Sequence, residues 1–499
     1  MKGGIVMTDE KEKRRQNREQ RRQIRQSVRD SARIELKNQI RAARQENFFD
    51  SSAALIQERD YIETEVYSQY DVKRGLRNAN GTGVLVGLTK VGEVNGYETD
   101  DEGNKIPIEG KLYYRGYSIE DLVNSCIAED RFGFEEITYL LIFGELPSRD
   151  ELDAFTKFLG NKRELPQGFA RDMILTAPSS NIMNKLARSV LALYTYDDKA
   201  DDISIANVLR QSIDLIGYFP ALISYAYQAK RAYYDNDSLH LNNPLPDLST
   251  SENILRMLRS SGEYTDLEAK LLDICMILHM EHGGGNNSSF TTHLISSSGT
   301  DTYATIAAAI GSLKGPRHGG ANVKVIQMLD DLKSNVKDYT NKQQVDNYLR
   351  KVLRKEANDG TGLIYGMGHA IYTKSDPRAV VLKKMAKQLA EGNDFNETFE
   401  LCNYIEQRTP ELMAEVRGRE TPMCANVDLY SGFVYTALGI PEEFATPLFA
   451  AARICGWCAH RIEELSNGSK LMRPAYKSVM SPRPYLSIDN RITTVSLID

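Results

Sequence analysis

The sequence predicts a mainly α fold with a few short strands near the N-terminus, and three observations carry that reading. From Ile119 nearly to the end, apolar residues recur with a helical period. Helix-start signals punctuate this region. Ser118 precedes IEDLVNSCI, Thr265 with Glu268 forms a capping box for LEAKLLDICMILHM, and Thr446 with Pro447 reads as cap and first position for LFAAARICGWCAHRIEEL. Only NANGTGVLVGLTKVGEVNGYETDDEGNKIPIEGKLYYRGY reads as strands. It is rich in glycine, valine and tyrosine, with turn signals at Asn80-Gly81 and Asp100–Gly103. Connections hold Gly, Pro or Asn, as in Gly144–Pro147 and Asn242–Pro246, and no βαβ alternation or repeat is visible.

The gross numbers narrow the function. The 499 residues exceed the roughly 100–200 of one domain, so two or more substructures are expected. A net charge of −6 argues against general nucleic-acid binding. No apolar run approaches the roughly 20 residues that span a bilayer, and no apolar signal-peptide core stands near the start. Six cysteines are too few for a disulfide scaffold of this length, and the expected setting is soluble and cytoplasmic. Residues 1–50 differ from the rest. From Glu10 to Glu46 they are dense in arginine, with Ile24, Val28, Ala32, Leu36 and Ile40 making a narrow apolar stripe on a charged helix. The stretch reads as a solvated appendage or a helix packed on its own body, with a partner-binding arm as the alternative.

Three of the seven histidines sit in glycine-rich turns: His282 in EHGGGNN, His318 in GPRHGGAN and His369 in YGMGHAIY. Glycine lets backbone and ligand approach closely, and histidine can donate, accept or carry a proton near neutral pH. Together they point to one polar pocket assembled from distant segments. His282 follows a helix that stops at Gly283-Gly284-Gly285. His318 precedes a helix start, where the dipole favours a neutral, donating imidazole. Arg378 in SDPRAV offers a cation for a carboxylate. Other chemistries fit less well. Cys455-Gly456-Trp457-Cys458 has redox-motif spacing but lies within an alanine-rich helix, so packed thiols are expected. There is no HExxH cluster and no P-loop, and GTGVLVG lacks the strand and helix of a dinucleotide fingerprint.

The segments EHGGGNNSSFTTHLISSSGTDTYATIAAAIGSLKGPRHGGAN, GMGHAIYTKSDPRAV and ANVDLYSGFVYTALGIP resemble the citrate synthase family. So do FAAARICGW, KLMRPAY and, upstream, GKLYYRGYSIEDLV, in the family's order over roughly residues 65 to 480. The resemblance implies a two-domain helical fold: a charged arm over 1–50, a large domain over 51–318, a small domain over 319–430 closing on it, and a return to the large domain over 431–499. It implies condensation of acetyl-CoA with oxaloacetate, followed by hydrolysis of citryl-CoA. Acetyl-CoA is then a substrate; no cofactor and no metal are expected. Asp428 stands for the base that takes a methyl proton, His318 for the donor to the thioester carbonyl, and His369 for the donor to the ketone. His282, His369, Arg378, Arg453 and Arg473 stand for the oxaloacetate site, Arg473 reaching in from a neighbouring subunit of a homodimer or higher oligomer. Lys374 and Asn426 stand for CoA contacts. The three catalytic residues make chemical sense together, because a carboxylate deprotonates a thioester methyl only where the forming enolate charge is quenched at once.

Two departures fall near the expected CoA phosphates: Ala370 where many bacterial relatives carry arginine, and Thr373 where lysine is usual, with Lys374 one place along. The alternatives are a 2-methylcitrate synthase using propionyl-CoA, which one methylene separates by only about 1–3 kcal/mol, and a non-catalytic scaffold, against which the presence of Asp428, His318 and His369 counts.

Overall fold

A computed structural model of the chain describes residues 49–491 except 51, 79–80, 103, 392–393, 419–421 and 469, with scattered residues from 15 to 39. Two compact units divide the chain: Met1–Leu85 with Ala475–Asp499, and Val86–Pro474. In the first, helix α1 (Thr64–Gln69) buries no residue. Of the arm's apolar stripe, Val28, Ala32 and Leu36 are helical and exposed, while Ile24 and Ile40 lie outside the described residues. In the single chain this part of the stripe is a solvated face.

The second unit opens with the strands. β1 (Gly92–Thr99) and β2 (Lys105–Tyr114) pair antiparallel from Gly92↔Tyr114 to Thr99↔Lys105, with an irregularity between Asn95 and Tyr97; β3 (Tyr117–Ser118) adds to β2. Asp100 makes the turn between β1 and β2, its Oδ1 accepting from Glu102 N and Asn104 N at 3.0 and 2.7 Å. Helices follow: α2 (Ile119–Ala128), α3 (Phe134–Phe143), α4 (Arg149–Gly160), α5 (Ile182–Leu193), α6 (Ile205–Tyr234), α7 (Thr250–Leu258), α8 (Asp266–His279), α9 (Asn287–Ser296) and α10 (Thr302–Lys314). Then come α11 (Ala321–Asn335), α12 (Lys342–Leu353), α13 (Pro377–Ala390), α14 (Asn396–Arg417), α15 (Val427–Ala437) and α16 (Glu442–Ser466).

Local chemistry fixes many of the starts. Thr265 and Glu268 cap α8 reciprocally, as expected from the sequence, and Ser148 with Glu151 and Ser249 with Glu252 do the same for α4 and α7. Ser118 occupies the cap position of α2, but its side chain makes no capping hydrogen bond. The start at Thr446-Pro447 is incorrect. Helix α16 begins five residues earlier, after Pro441, and carries Pro447 in its second turn. So near the start, the missing N–H of Pro447 forfeits a single ladder bond. Thr446 serves another purpose, its hydroxyl donating to Gly319 O at 3.3 Å beside His318. Cys455 and Cys458 are buried free thiols inside α16, as packed thiols should be.

Helix α16 is apolar nearly all round from Phe444 to Ala459 and packs on α3, α5, α6, α8, α9, α10 and α11. Helices α11 to α15 also pack on one another, α11 and α13 on α15 and α12 on α14. The strands brace the segment between His369 and α13. A Cβ at Gly96 would lie 2.5 Å from Ile371 O, and one at Gly110 would collide with Ser375 O and the Tyr372 ring. Backbone therefore packs directly on backbone at a point that a side chain would force open. Gly110→Ala should lower stability by about 1–3 kcal/mol, read as a reduced denaturant midpoint at unchanged slope.

Candidate active site

Helix α8 ends at His279, and the chain turns through Glu281, His282 and Gly283, the last at φ +79°. Tyr114 from β2 pins that turn. Its hydroxyl donates toward Ile277 O and Glu281 O at 2.9 and 3.1 Å and accepts Glu281 N–H at 3.2 Å. His282 is buried with Nε2 unpaired, and its ring stands edge-on to His369 and Tyr372 at 5.2 and 5.7 Å. Burial, with Arg378, His369 and Arg453 nearby, holds it neutral, well below the usual imidazole range.

The turn bearing His369 needs Gly366 and Gly368 at φ +83° and +88°. A short ladder ties it to the start of α15: Gly368 N donates to Cys424 O at 2.7 Å and Asn426 N to Gly366 O at 2.9 Å. Asn426 strengthens the tie, giving Nδ2–H to Gly368 O (2.9 Å) while its Oδ1 caps α15 by accepting Asp428 N–H (3.0 Å). His369 and Asp428 are thus held in register. Nδ1 of His369 accepts the N–H groups of Ile371 and Tyr372, both at 3.1 Å, so its proton sits on Nε2 as a donor. Burial pushes the ring down to about 4.

His318 lies just before α11, with Nε2 3.0 Å from Ser288 Oγ and its ring edge-on to Phe449. That hydroxyl also accepts Trp457 Nε1–H at 3.0 Å and donates to Asn286 Oδ1 at 2.9 Å. When Ser288 turns its single proton from Asn286 Oδ1 to His318 Nε2, the imidazole keeps Nδ1–H free to donate. Burial, then Arg453, pushes His318 down to about 4, in the neutral direction expected from the sequence. The Asp428 carboxylate accepts no hydrogen bond from a described residue. Burial raises it to about 6 against the opposing pull of Arg378.

The arginines divide by what they already hold. Arg378 is buried and forked onto Asp376, with Nε to Oδ1 at 3.0 Å and Nη2 to Oδ2 at 2.7 Å. Arg453, fully buried, spends only Nε, on His279 O at 2.7 Å, and lies over the Phe449 ring; Nη1 and Nη2 are buried without partners. Burial pushes Arg453 down to about 10, with Glu281 opposing and Arg378 adding to the shift. Two unpaired NH2 groups on a buried cation, with the unpaired Nε2 of His282 in the same cluster, are a set of donors suited to a carboxylate. Lys374 and Arg473 are exposed and hydrogen-bond to no described residue of this cluster.

Sequence reasoning missed Asp376, Glu281 and Ser288. Asp376 before Pro377 carries a legible cap-and-first-position signal; Glu281 and Ser288 look like any polar neighbours of a turn. In all, the site offers a carboxylate-binding fork, a neutral donor at His369, a second neutral donor at His318 and a partly buried base at Asp428.

A family model described as "Citrate synthase, C-terminal domain" matches residues 79–475. The citrate synthase of Corynebacterium glutamicum is 34% identical over 375 residues, covering 73% of this chain and 79% of that protein. The 2-methylcitrate synthase of Shewanella oneidensis is 29% identical over 381 residues, covering 76% and 92%. The citrate synthase of Thermoplasma acidophilum, solved as a ternary complex with carboxymethyl coenzyme A and oxaloacetate, superposes with TM-score 0.68 at 25% identity, covering 84% and 99%.

With Asp428 raised to about 6 and His318 and His369 lowered to about 4, one group titrates alone on the acid side. A base works only when ionised, so kcat/KM should fall tenfold per pH unit below about 6. A profile flat to pH 5 counts against Asp428 as the base.

Proposed function

The chain belongs to the citrate synthase family, and on that premise we propose how its buried cluster does the family's work. The protein is an acyltransferase that condenses acetyl-CoA with oxaloacetate. Oxaloacetate enters first. One carboxylate takes the free Nη1 and Nη2 of Arg453 with His282 Nε2, and Arg378 faces the other while Asp376 keeps its guanidinium in place. His369 gives Nε2–H to the ketone oxygen, drawing electron density from the carbon to be attacked. Asp428 then takes a proton from the acetyl methyl group while His318 gives Nδ1–H to the thioester oxygen. The carbanion character is quenched as it forms, and a single such donor is worth about 3 kcal/mol. The enolate carbon attacks the ketone, and water cleaves citryl-CoA to citrate and CoA. The unpaired Nη1 and Nη2 of Arg453 are the observation that carries this reading, because buried donors left open are costly unless an acceptor meets them.

Lys374, whose exposure on the segment after His369 supports the role, is the cation for CoA phosphates; Asn426 serves the same site by holding the start of α15. Arg473, exposed in the single chain, completes the pocket of a second copy, which makes a homodimer the minimum assembly. Leu191, Tyr194 and Leu294 are exposed apolar side chains available to such a contact. No cofactor takes part, acetyl-CoA being consumed. No described helix is long and apolar enough to cross a membrane, and a cytoplasmic setting suits six free, buried cysteines.

Thiol release should be faster from acetyl-CoA than from propionyl-CoA, both with oxaloacetate; a higher kcat/KM for propionyl-CoA makes the enzyme a 2-methylcitrate synthase. Asp428→Ala should abolish CoA release while leaving oxaloacetate affinity within a few-fold, by calorimetry. An equal loss of both would show Asp428 to be a binding group. Arg473→Ala should raise the KM for oxaloacetate at unchanged sedimentation.

A further inference from the structure

Behind the turn that carries His282 lies a second cluster of ionisable groups that the condensation does not use. Helix α16 presents His460, Glu463 and Glu464 at i, i+3 and i+4, on one face. Helix α9 brings His293 against them, and the turn after α8 brings Glu281. His460 gives Nε2–H to Glu281 Oε1 at 3.0 Å, and His293 gives Nδ1–H to Glu464 Oε2 at 2.8 Å, since ionised carboxylates only accept. Each imidazole therefore has its outer nitrogen fixed by a carboxylate. The remaining nitrogens, His460 Nδ1 and His293 Nε2, face each other at 3.1 Å.

The third side is closed by Glu463. Its Oε1 accepts Lys90 N–H at 2.6 Å, but Oε2 is buried with no hydrogen-bond partner and lies 3.9 Å from His460 Nδ1. The Glu463 side chain is only 10% exposed. An unpaired carboxylate oxygen so buried is costly unless a cation sits beside it. Without a metal that cation is His460, which, against its burial, Glu281 and Glu463 hold protonated, up to about 9. The two facing nitrogens pose the same demand. With both outer protons committed to carboxylates, the space between them suits one positive ion, either a shared proton or a metal.

We propose that His293 Nε2, His460 Nδ1 and Glu463 Oε2 form a binding site for one Zn²⁺-class divalent transition metal. The three atoms lie within 4.8 Å of one another. Tetrahedral zinc with bonds near 2.0 Å sets its ligand atoms about 3.3 Å apart, close to the spacing of the two nitrogens. Two imidazoles and one carboxylate are a donor set that zinc takes, a water filling the fourth position. The carboxylates on the outer nitrogens are the supports that zinc-bound histidines ordinarily have. The metal would join α9 to α16 directly behind Gly284, where an added Cβ would lie 3.6 Å from both imidazoles, and so stiffen the turn that carries His282. The sequence hides the set, because His293 and His460 lie 167 residues apart and no motif spacing links them.

The test uses full-length protein dialysed against chelator, then titrated with Zn²⁺ against a chromophoric competitor. One equivalent per chain should bind, and the melting temperature should rise with the free metal concentration. His293→Ala and Glu463→Gln should each abolish that equivalent. Glu464→Gln, which removes only the support of His293, should weaken it about 10–100-fold. Should the variants fail to fold, Co²⁺ on the unaltered protein decides: an intense visible ligand-field band of a four-coordinate site supports the proposal, and a weak octahedral spectrum overturns it. Uptake well below one equivalent overturns it too, leaving a proton between the histidines. So does uptake that survives both ligand substitutions.

Discussion

The carboxylate of Asp376 is the joint on which the site hangs. It accepts from Arg378 three times, through the backbone N–H, Nε and Nη2, and from Val427 N at 3.2 Å. It therefore caps α13, fixes the guanidinium and holds the first turn of α15, one residue before Asp428. Burial opposes its ionisation, yet Arg378 keeps it below the usual carboxylate range. A neutral amide in its place would leave the buried guanidinium without a counter-charge, the costly way to break such a pair.

Around that joint, burial sets the protonation states that the chemistry needs. The same desolvation that lowers His282, His318 and His369 raises Asp428. Imidazoles that would be partly cationic in water become neutral donors, and a carboxylate becomes a stronger base. The unpaired groups of Arg453 are the counterpart of this dryness. The protein keeps a buried cation incompletely satisfied, with Nη1 and Nη2 open toward an acceptor that the fold does not supply.

Much of this was legible in the chain. The capping box of Thr265 and Glu268, the buried thiols of α16 and the glycine turns of His282 and His369 all stand where local chemistry puts them. The start of α16 was misread because Thr-Pro is a strong local signal, while Pro441 sets the real start five residues upstream. Both ends of the Asn426 amide hold backbone, bridging the His369 turn to α15, a role that its place in the sequence does not announce. A side chain's hydrogen-bond partners across a turn are not visible in spacing.

The sequence by itself determined the helical class, most helix starts, the family and the residue types of the site, because periodicity, caps and glycine turns act within a few residues of their cause. Tertiary structure alone decided how far burial shifts the site's titrating groups, which guanidinium nitrogens stay unpaired, and that Glu281 and His293 meet His460 and Glu463. Those outcomes depend on burial and on contacts between segments more than a hundred residues apart, and neither quantity has a local signature.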